Sequence, residues 1–122
     1  MEPADPVRVP ADVLIVEDDP IIALDFEDTI LNLGVRSVRC AGSVATALDL
    51  IAARLPEFAL LDVGLVREKS FAVAEKLAAL KIPFAFVTGY GKVLPEFADR
   101  PRLPKPCSSD ALLIVLRRFA KP

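Results

Sequence analysis

Phe58-Ala59-Leu60-Leu61-Asp62 is an apolar run that stops on a carboxylate. Such a run reads as a strand of a parallel sheet, buried on both faces. Open parallel sheets bind ligands outside the carboxyl ends of their strands, so Asp62 stands where chemistry is expected. Three further runs end in the same way. Val13-Leu14-Ile15-Val16 leads into Glu17-Asp18-Asp19, Pro83-Phe84-Ala85-Phe86-Val87 into Thr88, and Arg102-Leu103-Pro104 into Lys105. Acids, a hydroxyl and an amine then converge on one edge of the sheet.

Helical stripes fill the intervals between these runs. Pro20 suits the first turn of a helix, and Ile22, Phe26, Ile30 and Leu33 follow on one face until Gly34 stops it. Val35 to Cys40 alternates apolar and basic residues, as an edge strand with one exposed face does. Ser43 caps a second helix with a stripe of Ala47, Leu48, Ile51, Ala52 and Leu55, ended by Pro56. A third helix starts near Ser70 and carries Val73, Ala74, Leu77 and Leu80. The last is capped by Ser108 or Ser109 and buries Leu112, Leu113, Leu116 and Phe119. Strand and helix alternate, which predicts a doubly wound α/β fold. Its five parallel strands run in the order 2-1-3-4-5, with Glu17, Asp18 and Asp19 beside Asp62 at the switch point.

Two stretches depart from the alternation. Residues 1–11 hold Pro3, Pro6 and Pro10 and read as a flexible tail before one domain over 12–121. Residues 89–101 contain Gly89, Gly91, Pro95 and Pro101, so a fourth helix there is expected to be short or absent. Val93, Leu94 and Phe97 offer it few apolar anchors, and a mobile switch segment is the expectation.

The 122 residues suit a single core, and with 53% apolar and 26% charged residues the chain is globular. A net charge of −2 gives no electrostatic reason for nucleic-acid or membrane binding. No apolar run approaches the roughly 18 residues of a membrane span, and no signal-peptide pattern opens the chain, so the cytoplasm is the expected compartment. Cys40 and Cys107 lack metal-type spacing and read as reduced thiols. Histidine is absent, which removes histidine nucleophiles, bases, metal ligands and phosphocarriers.

The acidic turn decides among the remaining chemistries. A phosphate-cradling loop needs glycines there, and three carboxylates repel an anion. Clustered carboxylates must instead be paired, protonated or bound to a cation, and oxygen-only ligands with room for water suit Mg²⁺. Lys105 can hold an anionic group against such a metal, which fits phosphoryl transfer with Asp62 as acceptor. Each residue alone has an ordinary reading. Aspartates after strands cap helices, Thr88-Gly89 is a turn, and Lys105 is a surface lysine. Their joint placement at strand ends is what points to a site.

On these residues the chain resembles the receiver domain of bacterial two-component response regulators, over about residues 11–120. The resemblance rests on Leu14-Ile15-Val16-Glu17-Asp18-Asp19-Pro20, Leu60-Leu61-Asp62-Val63, Val87-Thr88-Gly89 and Lys105-Pro106. It implies that Asp62 is phosphorylated by a histidine kinase. It also implies that Asp18, Asp62 and the Gly64 backbone carbonyl bind Mg²⁺, with Glu17 acting through water. Thr88 and Lys105 would contact the phosphoryl group, and Pro106 would follow a cis bond. Phe86-Val87-Thr88-Gly89-Tyr90-Gly91 looks like the FATGUY subclass, which is associated with HWE and related histidine kinases. Val87 replaces the subclass alanine, and the order after Gly89 differs. Gly64, Val66 and Cys107 also depart from common receiver residues. Arg102 stands at the usual aromatic switch position, which makes Tyr90 the candidate partner of Thr88 in switching.

The resemblance implies a stand-alone phosphoacceptor and not a conventional enzyme, with at most Mg²⁺-dependent self-phosphorylation and autodephosphorylation. Its partners would be a kinase and a downstream protein. Two alternatives stay open at this point. One is a pseudo-receiver that binds partners without accepting phosphate. The other is an Mg²⁺-dependent phosphatase, weakened by Gly64 at the position of a second acid and by the lack of a cap insertion.

Overall fold

A computed structural model describes residues 8–63, 70–88, 97, 99–104 and 107–120. Five short stretches become strands: β1 (Asp12–Val16), β2 (Ser37–Ala41), β3 (Phe58–Asp62), β4 (Phe84–Thr88) and β5 (Arg102–Pro104). They pair in parallel in the order β2-β1-β3-β4-β5. Four helices among the described residues cover the sheet: α1 (Pro20–Asn32), α2 (Val44–Ala53), α3 (Phe71–Ala79) and α4 (Ser109–Arg118). This is the expected doubly wound, flavodoxin-like arrangement.

The period of two along each strand divides the core. Leu14, Val16, Ala59, Leu61, Phe84 and Phe86 face one side, against Ala47 and Ile51 of α2 and Val73, Ala74 and Leu77 of α3. Val13, Ile15, Phe58, Leu60, Ala85 and Val87 face the other, against Phe26 and Ile30 of α1 and Leu112, Val115 and Leu116 of α4. Each fully buried Leu, Ile or Phe contributes about 1.5–3 kcal/mol. A charge placed at Leu60 or Leu61 would break the corresponding layer. Because both faces are covered, the open edge at the carboxyl ends is where side chains from different strands meet.

Local chemistry fixes the helix ends. The Asp19 carboxylate accepts hydrogen bonds from the Ile21 and Ile22 amides at 2.9 and 3.3 Å, and Pro20 occupies the first turn. Gly34, at φ 110°, terminates α1 in a conformation that disfavours a side chain. Ser43 and Ser108 cap α2 and α4 by accepting from Thr46 and Ala111, each at 3.1 Å. Ser70 holds the same position on α3 without making a side-chain cap. Its hydroxyl is buried and has no hydrogen-bond partner among the described residues.

Four expectations need correcting. Arg39 does not lie on an exposed strand face. Its guanidinium is 16% exposed and binds both oxygens of Asp12, at 3.2 and 2.7 Å, and the carbonyls of Leu50 and Arg54 at the end of α2. Arg54 adds a second cation 3.2 Å from Asp12. A guanidinium with five donors can join a carboxylate to the unsatisfied carbonyls of a helix terminus, so the edge strand folds this charge inward. Ala52 and Leu55 are exposed, because α2 turns Ala47 and Ile51 to the sheet and leaves its last residues beyond the layer. β4 begins at Phe84 and reaches Thr88, one residue later than the apolar run suggests, since the Thr88 backbone still pairs with Pro104.

The fourth correction concerns Phe97, which is a firm anchor. It is 4% exposed, with ring centroids 5.8 Å from Phe84, 5.9 Å from Phe86 and 6.4 Å from Phe71. Such aromatic pairs hold beyond simple area burial. The guanidinium of Arg100 lies over the Phe84 ring at 4.4 Å, adding a cation–π contact to the same group. Residues 89–96, the body of the expected switch segment, lie outside the described residues.

Candidate metal and phosphoryl site

β1 and β3 are neighbours, and Val16 is in register with Leu61. The chain leaves β1 at Glu17 and Asp18 just where β3 ends on Asp62. Glu17 and Asp62 are nearly buried, at 4% and 8% exposure, and Asp18 is half-buried. One carboxylate oxygen from each of the three lies within 4.8 Å of the others. Glu17 is fixed from two directions. Its amide donates to Ala41 at 2.9 Å, extending the β1–β2 ladder, and its carboxylate accepts from the Asp19 amide at 3.2 Å.

Asp19 is the acid of the turn that does not join this group. Its side chain is occupied in capping α1, so of the four acids expected at the switch point Glu17, Asp18 and Asp62 come together, the three that the resemblance had named for the metal. Thr88 ends β4 one residue beyond Val87, the register partner of Asp62, and is half-buried. The Val63 amide donates to the Val87 carbonyl at 3.2 Å and keeps these two strand ends together. Gly64, Tyr90, Lys105 and Pro106 lie outside the described residues.

Three hard oxygen donors on a partly buried edge fit a small divalent cation such as Mg²⁺, and no His or Cys joins the group among the described residues. Asp18, Asp62 and Glu17 would hold it. Bound there, Mg²⁺ supplies positive charge against the oxygens of a phosphoryl group.

The acids also border a cleft of about 330 Å³ between α1 and the end of β2. Its walls include Leu24, Glu27, Cys40 and Gly42 besides Glu17 and Asp18. Cys40 and Cys107 are both free thiols. Burial and the neighbouring Glu27 carboxylate push the Cys40 thiol up, and burial alone raises that of Cys107. Reading the sequence for strand ends misses Glu27 and Cys40. The available signal was the one-turn spacing from Ala23 to Glu27 on α1, which puts the carboxylate on the flank facing β2.

No family model matches the chain. Among solved structures, SdrG from Sphingomonas melonis Fr1 is 41% identical with a TM-score of 0.79, over 89% of this chain and 95% of that one. The receiver domain (CheY-like) of a response regulator from Methylobacillus flagellatus is 27% identical with a TM-score of 0.77, over 88% of this chain and 97% of that one. This chain belongs to the response-regulator receiver family. The sensory transduction protein LytT of Enterococcus faecalis is 37% identical over 115 residues, 89% of this receiver and 48% of LytT. The receiver spans less than half the length of each curated relative it matches. Receivers of this family are signalling proteins. No helix among the described residues is long and apolar enough to cross a membrane.

Proposed function

We propose that this receiver accepts a phosphoryl group from a histidine kinase on Asp62 and thereby switches the binding of a downstream partner. The observation that carries the reading is the convergence of Asp62, Glu17 and Asp18 within 4.8 Å at the end of the central strand. One carboxylate there is both an acceptor and part of an oxygen-donor set. An Asp62 oxygen forms the new P–O bond as the P–N bond of the phosphohistidine donor breaks, and the imidazole leaves with the bonding electron pair. Asp18, Asp62 and the Gly64 carbonyl would hold Mg²⁺, with Glu17 acting through water, and the ion would supply positive charge beside the acceptor oxygen.

Thr88 stands beside the acceptor strand and is assigned to a phosphoryl oxygen, as is Lys105. Phosphorylation adds about −1.5 to −2 charges at Asp62. Movement of the Thr88 hydroxyl toward that charge would carry Tyr90 with it. The motif Phe86-Val87-Thr88-Gly89-Tyr90-Gly91 supports a FATGUY-type receiver served by an HWE-class or related kinase. The nearby carboxylates speak against a pseudo-receiver, because a pure docking module has no use for three acids gathered at one strand edge.

Incubation with acetyl phosphate and Mg²⁺, read by intact mass, tests the proposal. A gain of one phosphoryl group is expected, together with its complete loss in Asp62→Asn. An Asp62→Asn protein labelled as fully as the wild type would refute the assignment.

A further inference from the structure

Ser70 stands at the head of α3 with a hydroxyl that is fully buried and has no hydrogen-bond partner among the described residues. An unpaired buried hydroxyl costs stability, so its presence calls for a reason. Two other helices show what it leaves undone. Ser43 and Ser108 hold extended backbones, at ψ 164° and 154°, and each hydroxyl accepts from the amide three residues on, Thr46 or Ala111. Ser70 holds ψ 10°, and the amide three residues on, that of Val73, donates to its carbonyl at 3.1 Å. The Ala74 amide also reaches that carbonyl, as the Ala47 and Leu112 amides reach those of Ser43 and Ser108. A change of backbone conformation at this one residue separates the start of α3 from a capped one.

The same residue is wired to the acceptor strand. Its amide donates to the Val63 carbonyl at 3.5 Å, the outer limit of a hydrogen bond. Val63 directly follows Asp62, and its own amide is tied to Val87 of β4. On the other side of Ser70, the Phe71 ring lies 6.2 Å from that of Phe86 and 6.4 Å from that of Phe97.

We propose that α3 carries a latent N-cap that closes when Asp62 is phosphorylated. The weak bond from Ser70 to Val63 gives way as the chain after Asp62 adjusts to the new group. Ser70 then turns to an extended backbone, and its Oγ accepts from the Val73 amide. The hydroxyl that is idle in the resting protein is satisfied in the phosphorylated one, so the two states differ in free energy at a residue outside the acid cluster. Phe71 passes the change to Phe86 and Phe97. The inference rests on Asp62 as the acceptor and adds a second element that responds to it.

Titration of the isotope-labelled protein with beryllofluoride, a mimic of the phosphoryl group, at saturating Mg²⁺ tests this through amide shifts and hydrogen exchange. In the wild type the Val73 amide is expected to shift and to exchange more slowly once the mimic is bound. Ser70→Ala should unfold no earlier than the wild type in chelator, yet bind beryllofluoride about fivefold or more weakly, the scale of one helix cap. Ser43→Ala, which removes a cap already formed, should lose stability in chelator and keep the wild-type affinity. Equal affinity in Ser70→Ala and the wild type, a Val73 amide that does not respond, or an equal loss in Ser43→Ala would overturn the latent cap alone. A wild type that takes up no beryllofluoride would overturn Asp62 as acceptor, and the latent cap with it.

Discussion

Replacing Asp18 by Asn should reverse the order of stability between metal-free and metal-bound conditions. The substitution keeps shape and removes one charge from the group whose oxygens lie within 4.8 Å of one another. Two unit charges at that separation repel by about 3.5 kcal/mol at an effective dielectric constant of about 20. Asp18 faces both Glu17 and Asp62. Solvent reaches Asp18, and these side chains have other contacts, so the net relief is smaller, about 1–2 kcal/mol. For a domain of this size that is a rise of roughly 3–8 °C in melting temperature with chelator present.

Mg²⁺ acts in the opposite sense. A ligand at a hundred times its dissociation constant stabilises the protein that binds it by about 2.7 kcal/mol, or roughly 10 °C here. The wild type should gain that increment and Asp18→Asn only a small part of it. Thermal melts followed by circular dichroism, with EDTA and then across a Mg²⁺ series, should therefore show the two proteins exchanging rank. An equal Mg²⁺ gain in both, or an Asn variant less stable in EDTA, would refute the view that Asp18 is a metal ligand held among like charges.

Four further expectations follow from named side chains. Ser43→Ala and Ser108→Ala each remove a cap and should cost about 1 kcal/mol in urea unfolding. Ser70→Ala removes a buried hydroxyl that has no partner among the described residues and should be neutral or stabilising by a similar amount. Phe97→Ala should lose about 3 kcal/mol by opening the space between Phe71, Phe84 and Phe86, measured in the same way. Because burial and Glu27 raise the Cys40 thiol, less reactive thiolate is present at a given pH. Glu27→Gln should therefore lower that pKa and speed iodoacetamide modification of Cys40 near pH 8, leaving Cys107 unchanged.

Strand positions were legible because burial on both faces leaves a local record. Four or five apolar residues in a row can satisfy their backbone and side chains inside a parallel sheet without any distant polar partner. The order of the strands followed from the handedness of the crossovers, and the convergence of Glu17, Asp18 and Asp62 followed from that order. Residue type alone did not say which acid of the turn would leave the cluster, and only the resemblance singled out Glu17 and Asp18. Glu17, Asp18 and Asp19 are the same chemistry in succession, and only the path of the turn aims Asp19 at the Ile21 and Ile22 amides.

Distance along the chain hid the rest. Arg39 finds its partners 27 residues before it and 11 and 15 residues after it, so alternation alone reads it as a solvated face. Phe97 likewise belongs to rings contributed by α3 and β4, which its glycine- and proline-rich neighbourhood does not foreshadow. β1 carries both cases on one strand. Asp12 at its first residue is held by two guanidiniums, which makes that carboxylate part of the frame. At the other end the chain delivers Glu17 and Asp18 to Asp62, so acids are grouped with acids. Grouped like charges oppose folding where a salt bridge need not, and a fold carries them where a cation or a transferred group gives them work. The neighbourhood of the carboxylate, more than its residue type, separates the structural aspartate of β1 from the acids proposed to bind metal and phosphoryl beyond it.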